Sequence, residues 1–183
     1  LKQQVRIPEW FMLSGHIEGS TQDYYPNVAI KTADGDATVK GSLLMSPGEG
    51  REKYDLALST SSLNIGRILR MDSTLGRVSM NGFAKGTSFD INKMNTTFDV
   101  NVVSAWAMNY DYNSIHLGGS LANKIADITG SSNDPNVKFT LAALADLNGK
   151  YPALKADLHI ENLDPQALQL YADTLRIAGD INA

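Results

Sequence analysis

The chain has 183 residues, a formal net charge of −4, 43% apolar and 20% charged residues, and no cysteine. That is enough apolar material for one large domain or two small ones. The acidic balance, without a polybasic cluster, excludes the electrostatic footprint of a nucleic-acid binder or of docking to anionic lipid, and the lack of cysteine excludes disulfide staples and thiolate metal sites without fixing a compartment.

No stretch approaches the roughly 20 apolar residues of a membrane helix, and no signal peptide is visible. The chain opens on Leu1 in mid-pattern, so it reads as a segment of something longer.

Residues 10–18, WFMLSGHIE, read as a strand. Residues 27–31 alternate, with Val28 and Ile30 on one face. Asp34-Gly35 then signals a tight hairpin, and the return strand is 38–45. Residues 46–53, SPGEGREK, form a polar loop whose glycines lack the arrangement of a phosphate cradle. Residues 54–59 alternate again, with Leu56 and Leu58 inward. A short helix follows, then a strand from Val78 to Lys85.

Residues 95–104 have a clear period of two, with Phe98, Val100 and Val102 facing one way. A strand over 106–113 carries Trp106, Met108, Tyr110 and Tyr112 on one side, and a strand over 115–121 groups Ile115, Leu117, Gly119 and Leu121. Residues 124–130 form a further strand, and 131–136, SSNDPN, a turn. Residues 137–146 place Val137, Phe139, Leu141 and Ala143 inward. A turn over 147–150 and Pro152 lead to 153–161, where Leu154, Ala156, Leu158 and Ile160 share a face.

The stretch 62–78, SLNIGRILRMDSTLGRV, recurs one hundred positions later as NLDPQALQLYADTLRIA. Leu63 matches Leu163, and Thr74-Leu75 matches Thr174-Leu175. Asn64 and Asp164 are interchangeable helix caps, and Pro165 suits a first helical turn. Each copy predicts a strand, a short helix and a new strand, with each helix too short to stand alone and therefore lying on the end of a sheet. Two copies hint at a repeat architecture, with possible units 11–77 and 78–177 inside one elongated segment. LSGHIEG, VSMNGFAKG and IAGDINA resemble one another as strand openings.

About ten strands at ten-residue spacing argue for an antiparallel meander. One face of each strand is aliphatic, and such a face must be buried by closure, by folding over, or by an apolar ligand.

Catalytic chemistry is not in view. His16, His116 and His159 sit in separate strands with no metal-ligand spacing. No GxSxG elbow appears, and Gly118-Gly119-Ser120 reads as a strand interior. Trp106, Tyr110 and Tyr112 suit a sugar or base platform but at strand spacing read as sheet aromatics. No catalytic, cofactor or metal residue is assigned.

The stretches YDLALSTSSLNIGRILRMDSTLGRVSMNGFAKG and GKYPALKADLHIENLDPQALQLYADTLRIAGDINA resemble the periplasmic repeats of TamB and other large AsmA-like proteins, with the flavour of Bacteroidota members. The resemblance implies a mostly β, antiparallel meander curled into an elongated taco-like or half-barrel sheet with two short helices. It implies an inner-membrane-anchored parent, a periplasmic location, no catalysis, and phospholipid acyl chains as the partner. The expected lining is Phe98, Val100, Val102, Val137, Phe139, Leu141, Leu154, Leu158 and Ile160. An outer-membrane assembly barrel is a further implied partner through parts of the parent outside this segment, and the isolated segment is expected to self-associate at its open ends. The alternative is a structural or chaperone-like scaffold for assembling outer-membrane or secreted proteins by edge pairing.

Overall fold

The structure is a computed structural model that describes residues 6–45, 51–149 and 151–183. Eleven strands follow one another in a single antiparallel sheet whose spatial order is the chain order. They are β1 (Phe11–Gly19), β2 (Asp23–Thr32), β3 (Gly35–Leu44), β4 (Lys53–Asn64), β5 (Leu75–Thr87), β6 (Asn95–Ala107), β7 (Tyr110–Ala122), β8 (Ile125–Asp134), β9 (Val137–Asp146), β10 (Ala153–Leu163) and β11 (Ile177–Asn182). The sheet does not close: β1 and β11 are its two edges, and every residue of both is exposed. The sheet passes without interruption through residue 77, the boundary expected between repeat units.

The hairpins explain why the sequence folds this way. Thr32 Oγ1 accepts from the Asp34 amide at 2.9 Å and donates to the Gly35 carbonyl at 2.8 Å, closing the β2–β3 turn. The β6–β7 and β7–β8 turns are two-residue links in which both central residues have positive φ: Met108 (49°) and Asn109 (65°), then Asn123 (51°) and Lys124 (62°). That geometry matches the right-handed twist of paired strands.

Three of the sequence-based expectations are corrected here. One helix is present among the described residues, not two: α1 (Ile65–Leu69). Asn64 accepts the Arg67 amide at 3.0 Å, and Arg70 ends the helix in the left-handed conformation, φ 58°. In the second copy Asp164 caps Ala167 at the same distance, but the left-handed residue is Gln169, φ 58°. The chain therefore has five steps from cap to stop instead of six, and the segment closes as a hydrogen-bonded turn with Leu170 donating to the Pro165 carbonyl at 2.8 Å. The strand expected over 106–113 is instead the β6–β7 hairpin. Trp106 pairs with Asp111 and Tyr112 with Ala105, which puts Trp106 on the sheet face opposite Tyr112. Residues 131–134, expected in a turn, complete β8. The polar loop 46–53 and the turn 147–150 are only partly visible, because 46–50 and 150 lie outside the described residues.

α1 lies on β5 at one end of the sheet. Its Gly66 is buried, and a Cβ there would strike the Leu75 carbonyl. Arg67 reaches across to Asp34 at 2.9 Å, and the Arg6 amide donates to the Ile68 carbonyl at 2.8 Å. The corresponding turn after β10 buries Leu168 to 2% exposure. Both copies therefore close the same end of the sheet.

Candidate functional site

The ladder register turns the alternation of each strand into a property of the whole sheet. Residues opposite one another on paired strands point to the same side. One row crosses all eleven strands as Gly15, Val28, Val39, Leu58, Gly82, Val100, Leu117, Gly130, Leu141, Leu158 and Ile181. The row beside it on the same face includes Leu13, Ile30, Ala37, Met80, Val102, Ile115, Phe139 and Ile160. The opposite face carries Thr38, Ser59, Asn81, Asn101, His116, Ser131, Thr140 and His159 in one row.

All nine lining candidates fall on the apolar face. Phe98, Val100 and Val102 come from β6; Val137, Phe139 and Leu141 from β9; and Leu154, Leu158 and Ile160 from β10. Val100 connects through Leu117 and Gly130 to Leu141 and Leu158, and Val102 through Ile115 and Ser132 to Phe139 and Ile160. Eight of them are half-buried; Leu154, near the opposite end from α1, is 61% exposed. No second sheet lies over this face among the described elements: the strands pack chiefly on their sheet neighbours, α1 lies on β5, and Phe89 of the β5–β6 loop covers Tyr54.

The consequence is a near-absence of dry core. Among the described residues the buried apolar side chains are Tyr54, Val78 and Leu168. Val78 lies beside α1, paired with Leu63. Tyr54 is stacked on Phe89 with ring centroids 5.2 Å apart. The apolar face holds a groove of about 460 Å³ lined chiefly by Val39, Leu56, Leu58, Met80, Ala84, Phe98 and Val100. A larger concavity, about 720 Å³, has a mixed lining in which Asp23, Asp55 and Lys85 stand beside Tyr25, Leu43, Leu44 and Tyr54. Lys85 Nζ donates to Asp55 at 2.9 Å, and this hydrogen bond raises the ammonium above its ordinary value. Its charged side chains suit the concavity less to apolar cargo than the smaller groove, which has none.

The histidines all lie on the polar face. His116 Nε2 sits 2.7 Å from Asp99, and His159 Nδ1 sits 2.7 Å from Asp180, while His16 is 3.9 Å from Glu18. Each is a two-group pair, and no cluster of three metal-ligating side chains occurs among the described residues. The residues that sequence reasoning missed are the glycines of the apolar face, whose partners become visible only with the register. No helix among the described residues is long and apolar enough to cross a membrane. Compared with known proteins, the chain matches no family model, no curated protein and no solved structure.

Proposed function

We propose that this chain is a non-catalytic periplasmic segment of a TamB/AsmA-like envelope protein, and that its apolar sheet face binds or conducts phospholipid acyl chains during outer-membrane biogenesis. One observation carries the reading: an aliphatic surface runs across eleven strands and stays largely half-exposed, with no second sheet over it. A surface of that extent normally marks an interaction site. Apolar side chains on this face are less exposed than their polar-face neighbours along β4 and β5, an asymmetry that follows when a sheet curls towards its apolar side. Such a trough holds acyl chains by non-directional burial, at about 0.8 kcal/mol per methylene removed from water. It needs no head-group motif and discriminates weakly between lipids.

The test is direct. Purified from bacterial envelopes, the chain is extracted with organic solvent and assayed for phospholipid by mass spectrometry, and a photo-crosslinking residue replaces Val100 or Phe139. Co-purified phospholipid and lipid adducts at both positions are expected. Lipid-free protein and no adduct at either position would refute the proposal and leave a scaffold role.

A further inference from the structure

The polar face is hollowed across β3–β6. A cleft of about 470 Å³ there is lined by Lys40, Ser59, Asn81, Phe83, Asp99 and Asn101. The concavity of about 720 Å³ adjoins it on the same face: Ser42, Asp55, Lys85 and Thr97 stand opposite one another across the same four strands, two residues away along each. A twisted sheet is a saddle, so each of its faces is hollow along one diagonal.

Two aromatic rings stand in this hollow, where the alternation calls for polar side chains. Phe83 is 47% exposed and Tyr25 is 52% exposed. Phe83 lies in the row Lys40, Ala57, Phe83, Asp99, and Ala57 is too small to cover it. Tyr25 shares the side of Asn27, which pairs with Lys40, and Pro26 keeps its backbone extended. Ladder spacing puts the two positions about 16 Å apart, three strands over and two residues along. The ring–ring contacts of the described residues lie elsewhere, at Tyr54–Phe89 and Tyr110–Tyr112.

The groups around the rings form hydrogen bonds and balance in charge. Lys40, Lys53 and Lys85 stand against Asp23, Asp55 and Asp99. Asp55 holds Lys85 at 2.9 Å, and His116 lies 2.7 Å from Asp99. Thr38, Ser59 and Asn81 make no side-chain hydrogen bond within the described residues. A phosphate-bearing ligand calls for a net positive cleft, and a peptide strand calls for a bare backbone edge, whereas β2–β6 are paired on both sides. The surface fits a neutral ligand with many hydroxyls and flat apolar faces. A pyranose has both: its hydroxyls reach side-chain donors and acceptors, and its C–H face rests on the electron-rich face of an aromatic ring.

We propose that this cleft binds a neutral, extended β-1,4-linked glycan, with one sugar stacked on Phe83, another on Tyr25, and polar substituents bonded to Ser59, Asn81 and Asn101. The β-1,4 linkage keeps the glycan a straight ribbon that lies along an open cleft, whereas an α-1,4 chain coils away from it. The site is on the opposite side of the sheet from the acyl-chain face and does not depend on that reading.

The test titrates chitohexaose, cellohexaose and maltohexaose into the full chain by calorimetry at neutral pH. Saturable binding of at least one β-1,4 hexaose is expected, and none of maltohexaose; the tighter of the two β-1,4 chains tells whether the natural ligand is N-acetylated. Phe83→Ala and Tyr25→Ala each weaken binding about fivefold or more. Phe83→Leu, which keeps apolar bulk without the ring, weakens it too, while Phe83→Tyr retains it. Lys155→Ala, on the same face but outside the cleft, leaves it unchanged. Circular dichroism verifies that each variant is folded. No binding of either β-1,4 hexaose, equal binding of maltohexaose, or full affinity in Phe83→Leu or Tyr25→Ala overturns the proposal.

Discussion

Asp34 and Asp134 stand one hundred positions apart at equivalent hairpins, with 2% and 0% exposure. A buried carboxylate is costly unless it is paired or fully hydrogen-bonded, and the two sites meet that requirement differently. Asp34 has the Arg67 guanidinium at 2.9 Å. Asp134 has neutral donors: the Tyr110 hydroxyl at 2.6 Å and the amides of Asn113 and Asn136, each at 2.9 Å. Removing the hub strands three donors, so Asp134→Ala should lower the unfolding free energy by about 2–3 kcal/mol, against about 1 kcal/mol for Tyr110→Phe. Urea titrations of the two variants check this, and equal losses would show that Asp134 is not the hub. Tyr110 also makes a pH prediction. Burial, then the hydrogen bond to Asp134, pushes its hydroxyl above the ordinary value of 10.0. The folded state therefore holds this proton more tightly than the unfolded one. Its contribution is complete below pH 10 and is lost as pH rises through the folded value. Melting temperature measured on both sides of that pH should fall less steeply in Tyr110→Phe than in the parent chain.

At the level of elements, the two copies of the cap-and-turn motif differ by one residue, and that difference separates what was legible from what was not. The period of two identifies strands because one face of each is aliphatic, as in Phe98, Val100 and Val102. Cap chemistry was equally readable, since Asn64 and Asp164 each hold the amide three residues on at 3.0 Å. Where each motif stops was not readable: Arg70 and Gln169 adopt the left-handed conformation with no glycine to announce it. The β6–β7 turn escaped notice for the same reason, because Met108-Asn109 interrupts no alternation. The nine lining residues were visible strand by strand, but their shared face depends on register. Bulges in β4, β5–β6 and β10 make register a tertiary property that alternation alone does not fix. α1 supplies a prediction at this scale. Asn64→Ala removes one cap and should cost about 1 kcal/mol. Arg67→Ala leaves Asp34 buried without its cation and should cost about 2 kcal/mol, discounted from the buried-pair range because the arginine is partly exposed. Thermal unfolding of the pair decides the order, and the reverse ranking would mean that the ion pair adds nothing here.

For the molecule as a whole, stability resides in the ladders and in the capped end, while the apolar face is held open. Two classes of apolar substitution should therefore behave in opposite ways. Leu168 is 2% exposed, so Leu168→Ala creates a cavity and should cost about 3 kcal/mol, within the range for a closed core. Leu141 is half-buried on the open face, so Leu141→Ala removes contacts that water already partly replaces and should cost about 1 kcal/mol. Val100 extends the comparison to function. It stands in the row that crosses every strand, opposite Gly82 and Leu117, and borders the apolar groove. A lysine there can carry its ammonium out to solvent along its own stem, so Val100→Lys should leave the sheet folded with its circular dichroism unchanged. Seated acyl chains, by contrast, would have to desolvate or displace that charge. The variant should retain under half the phospholipid that co-purifies with the parent, while Leu168→Ala, though far less stable, should retain it in proportion to the folded fraction. If Val100→Lys carries the parent's full complement of lipid, acyl chains do not lie across this row, and the open face serves something other than lipid.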